Sequence, residues 1–249
     1  MLDENSGGKA VNGKRFQFTM KISIALCTYN GERYLREQLE SIASQTRKPD
    51  EIIVCDDCSQ DATVEIVRDF ARNAAFAVRL YVNEENLRST KNFERAISLC
   101  TGDVIFLSDQ DDVWHESKLE KFAAEFEQDE NVNLVFCDAE LVDENLKPLG
   151  KTSWKALQFD AKQQTAVNEG RGAMILLNRN VVSGCMTAFR ARYKNLILPI
   201  PDDLDYVIHD FWIVLLMLTV GETRLIAETL VKYRQHASQQ IGLSADADE

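Results

Sequence analysis

Val104-Ile105-Phe106-Leu107-Ser108-Asp109-Gln110-Asp111-Asp112-Val113-Trp114 is the stretch whose reading decides the fold. A short β-branched and aromatic run that ends in three carboxylates within four residues reads as a buried strand delivering Asp side chains to a sheet edge. In open α/β sheets, ligands bind in the crevice at the carboxyl ends of the strands. Carboxylates placed there are hard oxygen ligands, suited to Mg²⁺ or Mn²⁺ held against phosphates. The competing reading is an acidic turn capping a helix that begins near His115.

Outward from this stretch the pattern alternates. Residues 22–27 read as a strand, 32–45 as a helix, 51–55 as a strand and 61–73 as a helix. Residues 78–82, 104–107 and 133–137 read as further strands, with helices at 89–100 and 116–128 between them. Such alternation argues for right-handed βαβ crossovers and an α/β, Rossmann-like, mostly parallel sheet flanked by helices. Beyond residue 138 the rhythm breaks. Residues 140–170 are polar and irregular, an apolar helix spans about 209–220, and two short strand candidates lie near 224–235.

Composition excludes several classes. With 28 Lys and Arg against 40 Asp and Glu, the chain carries a net charge of -12, which argues against a nucleic-acid partner and any general attraction to anionic lipid. The longest apolar run, Phe211 to Val220, is ten residues, too short to span a membrane. Residues 1–18 lack the apolar core of a secretory signal and read as a disordered leader. The six cysteines (27, 55, 58, 100, 137 and 185) include one isolated C-x-x-C and read as structural thiols of a reducing cytoplasm. No G-x-G-x-x-G follows the first strand and no P-loop is present, which disfavours a dehydrogenase or a P-loop nucleotidase.

Two further acidic groups stand out. Asp56 and Asp57 close the second strand, and parallel strands would bring them to the same edge as Asp109 and Asp111. His209-Asp210 opens the apolar helix, preceded by Asp202, Asp203 and Asp205. Asp210 is either an acid stabilised by the helix dipole or a general base held near a dry helix. His236, in Tyr233-Arg234-Gln235-His236, is a metal ligand or a loop hydrogen-bonder.

The set CTYNGERYLREQLESIASQT, VCDDCSQDAT, NLRSTKNFERAI, LSDQDDVW, SGCMTAF, HDFW and YRQH resembles a family 2 glycosyltransferase of the GT-A fold, over residues 21 to 241. LSDQDDVW with a later HD and YRQH is similar to the rhamnosyltransferase-like branch. The resemblance implies one domain over 19–241, with a nucleotide-binding half (19–138) and an acceptor-binding half (139–241), and a tail at 242–249. It implies an inverting transfer of a sugar, rhamnose among the candidates, from a nucleoside-diphosphate sugar to a hydroxyl of a cell-surface glycan or glycolipid precursor, with Mn²⁺ or Mg²⁺ as cofactor. By resemblance, Thr28 and Tyr29 lie against the donor, Asp57 hydrogen-bonds the base with Asp56 beside it, and Lys91 contacts the pyrophosphate. Asp109 faces the ribose or the metal, Asp111 ligates the metal with His236, Asp210 is the catalytic base, and Gly184 and Cys185 line the acceptor side. The absence of Q-x-x-R-W implies a single transfer rather than processive synthesis. A lipid-borne acceptor would place the enzyme in the cytoplasm at the inner membrane face, without a spanning helix. A catalytically silent sugar-nucleotide binder or scaffold, and a sugar-phosphate nucleotidyltransferase, remain the alternatives.

Overall fold

The computed structural model describes residues 20–202, 208–237 and 239. The leader at 1–18, the acids Asp203 and Asp205, and the tail at 242–249 lie outside the described residues. The first half builds β1 (Ile22–Thr28), α1 (Leu35–Ala43), β2 (Glu51–Asp56), α2 (Thr63–Asn73), β3 (Ala77–Val82), α3 (Arg88–Leu99) and β4 (Val104–Ser108). There follow a two-residue β5 (Val113–Trp114), α4 (Lys118–Gln128), β6 (Val132–Val142), β7 (Pro148–Thr152), and the helices α5 (Ser153–Ala156), α6 (Ala161–Asn168) and α7 (Ala173–Asn178). The chain then forms β8 (Thr187–Arg190), α8 (Lys194–Ile197), α9 (His209–Val220) and β9 (Glu222–Arg234).

The nine strands form one sheet in the order β3-β2-β1-β4-β8-β6-β9-β5, with β7 on the outside of β6. The strands β3, β2, β1 and β4 of the first half are parallel to one another, as the alternation predicts. The sheet as a whole is mixed, because β8 runs antiparallel to both β4 and β6, and β5 antiparallel to β9. Two local readings differ. Residues 140–170 are not irregular: they hold the end of β6, then β7, α5 and α6. The two short strand candidates are one strand of 13 residues, β9, bent by register shifts near Asp138.

The central strands are apolar without interruption because both faces are covered. On β1, Ile22, Ile24 and Leu26 pack under α1 and α4 with Leu35, Leu39, Ile42 and Phe122. Ala25 and Cys27 face the opposite layer, where Phe93 and Ile97 of α3 meet Ile213, Val214 and Met217 of α9. Helix α9 is apolar on nearly every side; His209, Asp210, Ile213, Val214 and Met217 are buried and most of the rest is partly covered.

Strand direction positions the site. The carboxyl ends of β1, β2 and β4 share one edge. Since β8 opposes β4, its beginning arrives at that same edge and carries Gly184 there in a short 3₁₀ turn. Strands β6 and β9 run with β4, so the end of β9 brings Arg234 and His236 to the acids.

Candidate active site

A cleft of about 530 Å³ opens at this edge. Thr28, Tyr29, Asp57, Asn86, Arg88 and Asn92 line its first-half side, and Asn180, Ser183, Gly184, His209 and Asp210 line the other. Asp109, Gln110 and Asp111 lie between them.

The loops around the cleft are tied to one another. Gln110 donates from its amide to the Tyr29 carbonyl (3.0 Å) and accepts from the Tyr29 N–H (2.8 Å), as a strand partner would. Gly31 is glycine because a Cβ there would lie 2.2 Å from the Gln110 amide oxygen. Asn30 N–H donates to Ser59 Oγ, Gly31 N–H to Thr63 Oγ1, and Gln60 N–H to the Asn30 side chain. Asn30, Cys58 and Arg88 all have left-handed backbone (φ 47°, 65° and 63°), a strain borne by non-glycine residues at the cleft rim.

Asp57 is buried and fully engaged. It accepts from Asn83 Nδ2 (2.6 Å), Leu87 N–H (2.7 Å) and Arg88 N–H (2.9 Å), which holds the loop entering α3. Asp56, its neighbour on the strand, turns to the other face and accepts from Thr28 Oγ1 (2.8 Å) and Ser59 N–H (3.0 Å). It is buried within the protein and does not line the cleft. Lys91 is also directed elsewhere: its ammonium donates to Glu94 (2.9 Å) and to the Ile200 carbonyl (2.7 Å). Among the described residues that line the cleft, the cation is Arg88, three positions earlier.

The acid loop concentrates negative charge. Burial raises the Asp109 pKa well above the carboxylate range, and the charges of Asp112, Asp111 and Asp210 raise it further. Asp112 is completely buried and pushed up to about 7, by burial first and by Asp111 second. Its backing includes the Arg234 N–H and Cys185. Cys185 thus sits beneath the acids rather than on the cleft wall, and burial keeps its thiol protonated. Lys118, also fully buried, donates to the Cys185 carbonyl and stands 3.5 Å over the Trp114 ring.

His236 Nε2 lies 2.9 Å from Asp111 Oδ2, and its ring packs on Tyr34 at 4.7 Å. Arg234 is buried just before it: Nε donates to the Asp111 carbonyl (2.7 Å), Nη1 to the Glu144 carbonyl (2.6 Å) and Nη2 to the Glu37 carboxylate. Among the described residues, Asp109, Asp112 and Cys185 bring ligand atoms within 4.8 Å of one another. Asp112 and Cys185 are sealed off, with Asp112 backed by the Arg234 N–H, so the acids that face the cleft are Asp111 and Asp109, with His236 against Asp111. Two carboxylates and an imidazole fit Mn²⁺ or Mg²⁺ by donor chemistry.

Asp210 opens α9 with its carboxylate buried. Oδ2 accepts from the Gly184 N–H (3.1 Å) and Oδ1 from the Phe211 N–H (2.6 Å). Burial pushes its pKa up to about 6, against the lowering effect of those N–H groups and of Asn180. Sequence reasoning missed Arg88, Asn180, Arg234 and Lys118; the motif YRQH contained Arg234, but nothing in spacing says that an Arg is buried.

The model of Glycosyl transferase family 2 matches residues 23–195, and this chain belongs to that family. EpsE of Bacillus subtilis (strain 168), named as a glycosyltransferase, is 36% identical over 115 residues, covering 46% of this chain and 41% of that protein. The dTDP-rhamnosyl transferase RfbG of Shigella flexneri is 27% identical over 228 residues, covering 87% of this chain and 73% of its own. Among solved structures, the mannosyltransferase PcManGT of Pyrobaculum calidifontis, in complex with GDP-Man and Mn²⁺, superposes with a TM-score of 0.67 at 18% identity, covering 87% of this chain and 57% of that one. The fold is GT-A. The chain spans less than half the length of EpsE and less than two thirds of the mannosyltransferase. Among the described residues, no helix is long and apolar enough to cross a membrane.

Proposed function

We propose that this chain is an inverting, metal-dependent glycosyltransferase that moves one sugar from a nucleoside-diphosphate donor to an acceptor hydroxyl. The observation that carries this reading is Asp210. It is a buried carboxylate with a pKa near 6, aimed by two backbone N–H groups into the cleft that holds Asp57, Asp109 and Asp111.

In this reading the half before residue 139 binds the nucleotide and the half after it shapes the acceptor side. Tyr29 and the wall that Asp57 organises receive the base, and Arg88 offers its guanidinium to the diphosphate. Asp111, Asp109 and His236 would hold Mn²⁺ or Mg²⁺, which neutralises the charge that develops on the leaving diphosphate. Asp210 takes the proton of the acceptor hydroxyl as that oxygen attacks the anomeric carbon. The bond from that carbon to the diphosphate breaks on the opposite face. One displacement inverts the configuration; retention would need a second carboxylate placed as nucleophile. The likeness to RfbG makes dTDP-rhamnose a donor to test first, and a cell-surface glycan or glycolipid precursor at the cytoplasmic membrane face the acceptor.

Calorimetric titration of UDP, dTDP, GDP and CDP, each with and without Mn²⁺, tests the reading. Tight binding of one diphosphate only with metal supports it. Absence of binding to all four overturns it.

A further inference from the structure

Among the cleft residues to which the proposed reaction gives no task, His209 stands apart. His209 is 6% exposed, and neither ring nitrogen has a hydrogen-bond partner. Its ring stacks on Phe93 of α3, with centroids 4.0 Å apart and an interplanar angle of 18°. Its Nε2 edge points at Gly184, where an added Cβ would lie 3.1 Å away. Leaving a buried polar group unpaired costs about 1–3 kcal/mol, so such groups call for a partner that completes them.

The ring's charge state narrows that partner. Burial pushes the imidazole down to about 3, so it is neutral at physiological pH. A neutral imidazole has one donor nitrogen and one acceptor nitrogen and gives little attraction to a diphosphate. Its two nitrogens diverge and take separate partners, and a hydroxyl, able to donate or to accept, suits Nε2 in either tautomer. Position narrows the choice again. His209 joins Phe93 of the nucleotide half to Gly184 of the other half and precedes Asp210. The transferred sugar must occupy that junction, between the diphosphate and the base.

We infer that His209 recognises the donor sugar, its unpartnered Nε2 taking a hydroxyl of the transferred ring, with Gly184 leaving the approach free of a side chain. This rests on the proposed donor site and adds the residue that distinguishes a nucleotide sugar from the bare nucleotide.

The test compares wild type with His209→Phe, which keeps the stack on Phe93 and removes both nitrogens. The probes are the diphosphate that wild type binds and its sugar conjugates, drawn from UDP-glucose, UDP-N-acetylglucosamine, GDP-mannose and dTDP-rhamnose, titrated with Mn²⁺. The expected result is diphosphate affinity unchanged and nucleotide-sugar affinity lowered roughly tenfold. His209→Gln, which restores a donor and an acceptor, recovers part of the loss. Equal affinities of His209→Phe and wild type for the nucleotide sugar would overturn the inference, as would a parallel loss for both ligands in a variant with wild-type melting behaviour. Failure of wild type to bind any diphosphate overturns instead the donor-site reading beneath it.

Discussion

His236 Nε2 and Asp111 Oδ2 meet at 2.9 Å, bringing together residues 125 positions apart where the longest strand ends against the acid loop. An imidazole and a carboxyl group in this arrangement stand side by side, as two ligands of one cation would. Asp111→Asn and His236→Ala should each weaken Mn²⁺-dependent nucleotide binding by at least the roughly 10–100-fold that outer-shell changes cost at metal sites. Mn²⁺ titration at fixed diphosphate measures this; unchanged half-saturation in both variants would remove the pair from the cation site.

Arg88 and Lys91 give a discriminating comparison. Arg88 stands on the cleft wall, whereas Lys91 is bound to Glu94 and the Ile200 carbonyl. Arg88→Ala is expected to lower diphosphate affinity by about tenfold, the scale of one charge-assisted hydrogen bond. Lys91→Ala should leave that affinity within about twofold and lower the melting temperature instead. The reverse pattern would restore Lys91 to the donor site.

Asp210 predicts two opposite responses. As the base it must be ionised, so transfer should fall as pH drops through about 6, and Asp210→Asn should cost about 10²–10⁴ in rate with donor binding retained. Stability moves the other way. The folded pKa, near 6, exceeds the usual 3.8, so the folded state binds more protons than the unfolded one between these values. Stability is therefore lost as pH rises through that window and stays lower above it. Asp210→Asn should then be more stable than wild type at pH 8, by an amount on the order of 2 kcal/mol, and gain little at pH 4. Melting curves at the two pH values decide it.

Asp57→Ala should act on stability and binding together. Its carboxylate accepts from Asn83, Leu87 and Arg88, so removal leaves buried donors unpaired and frees the loop that carries Arg88. A loss of about 2–4 kcal/mol by denaturant unfolding, with loss of nucleotide binding, is expected. A variant with undiminished stability would contradict the loop-holding role.

The parallel half was legible because its strands are continuous apolar runs and its helices change the period to 3.6. The bend in β9 hid a single strand, since a register shift interrupts the alternation on which strand reading depends. In the site, the resemblance of the motifs to the family brought Asp109, Asp111, Asp210 and His236 into one reading. Choices between neighbours escaped it. Asp56 and Asp57 differ by one residue and so by a face of the sheet; Gly184 reaches the cleft while Cys185 turns beneath the acids. Arg234 and Lys118 are buried charges, and burial of a charge depends on partners far along the chain.

The two-point clasp of Gln110 on Tyr29 ties the loop after β1 to the acid loop. A base settling against Tyr29 would therefore displace, or be resisted by, the segment that carries Asp109 and Asp111. Nucleotide affinity and cation affinity should then each raise the other by the same factor, as thermodynamic reciprocity requires.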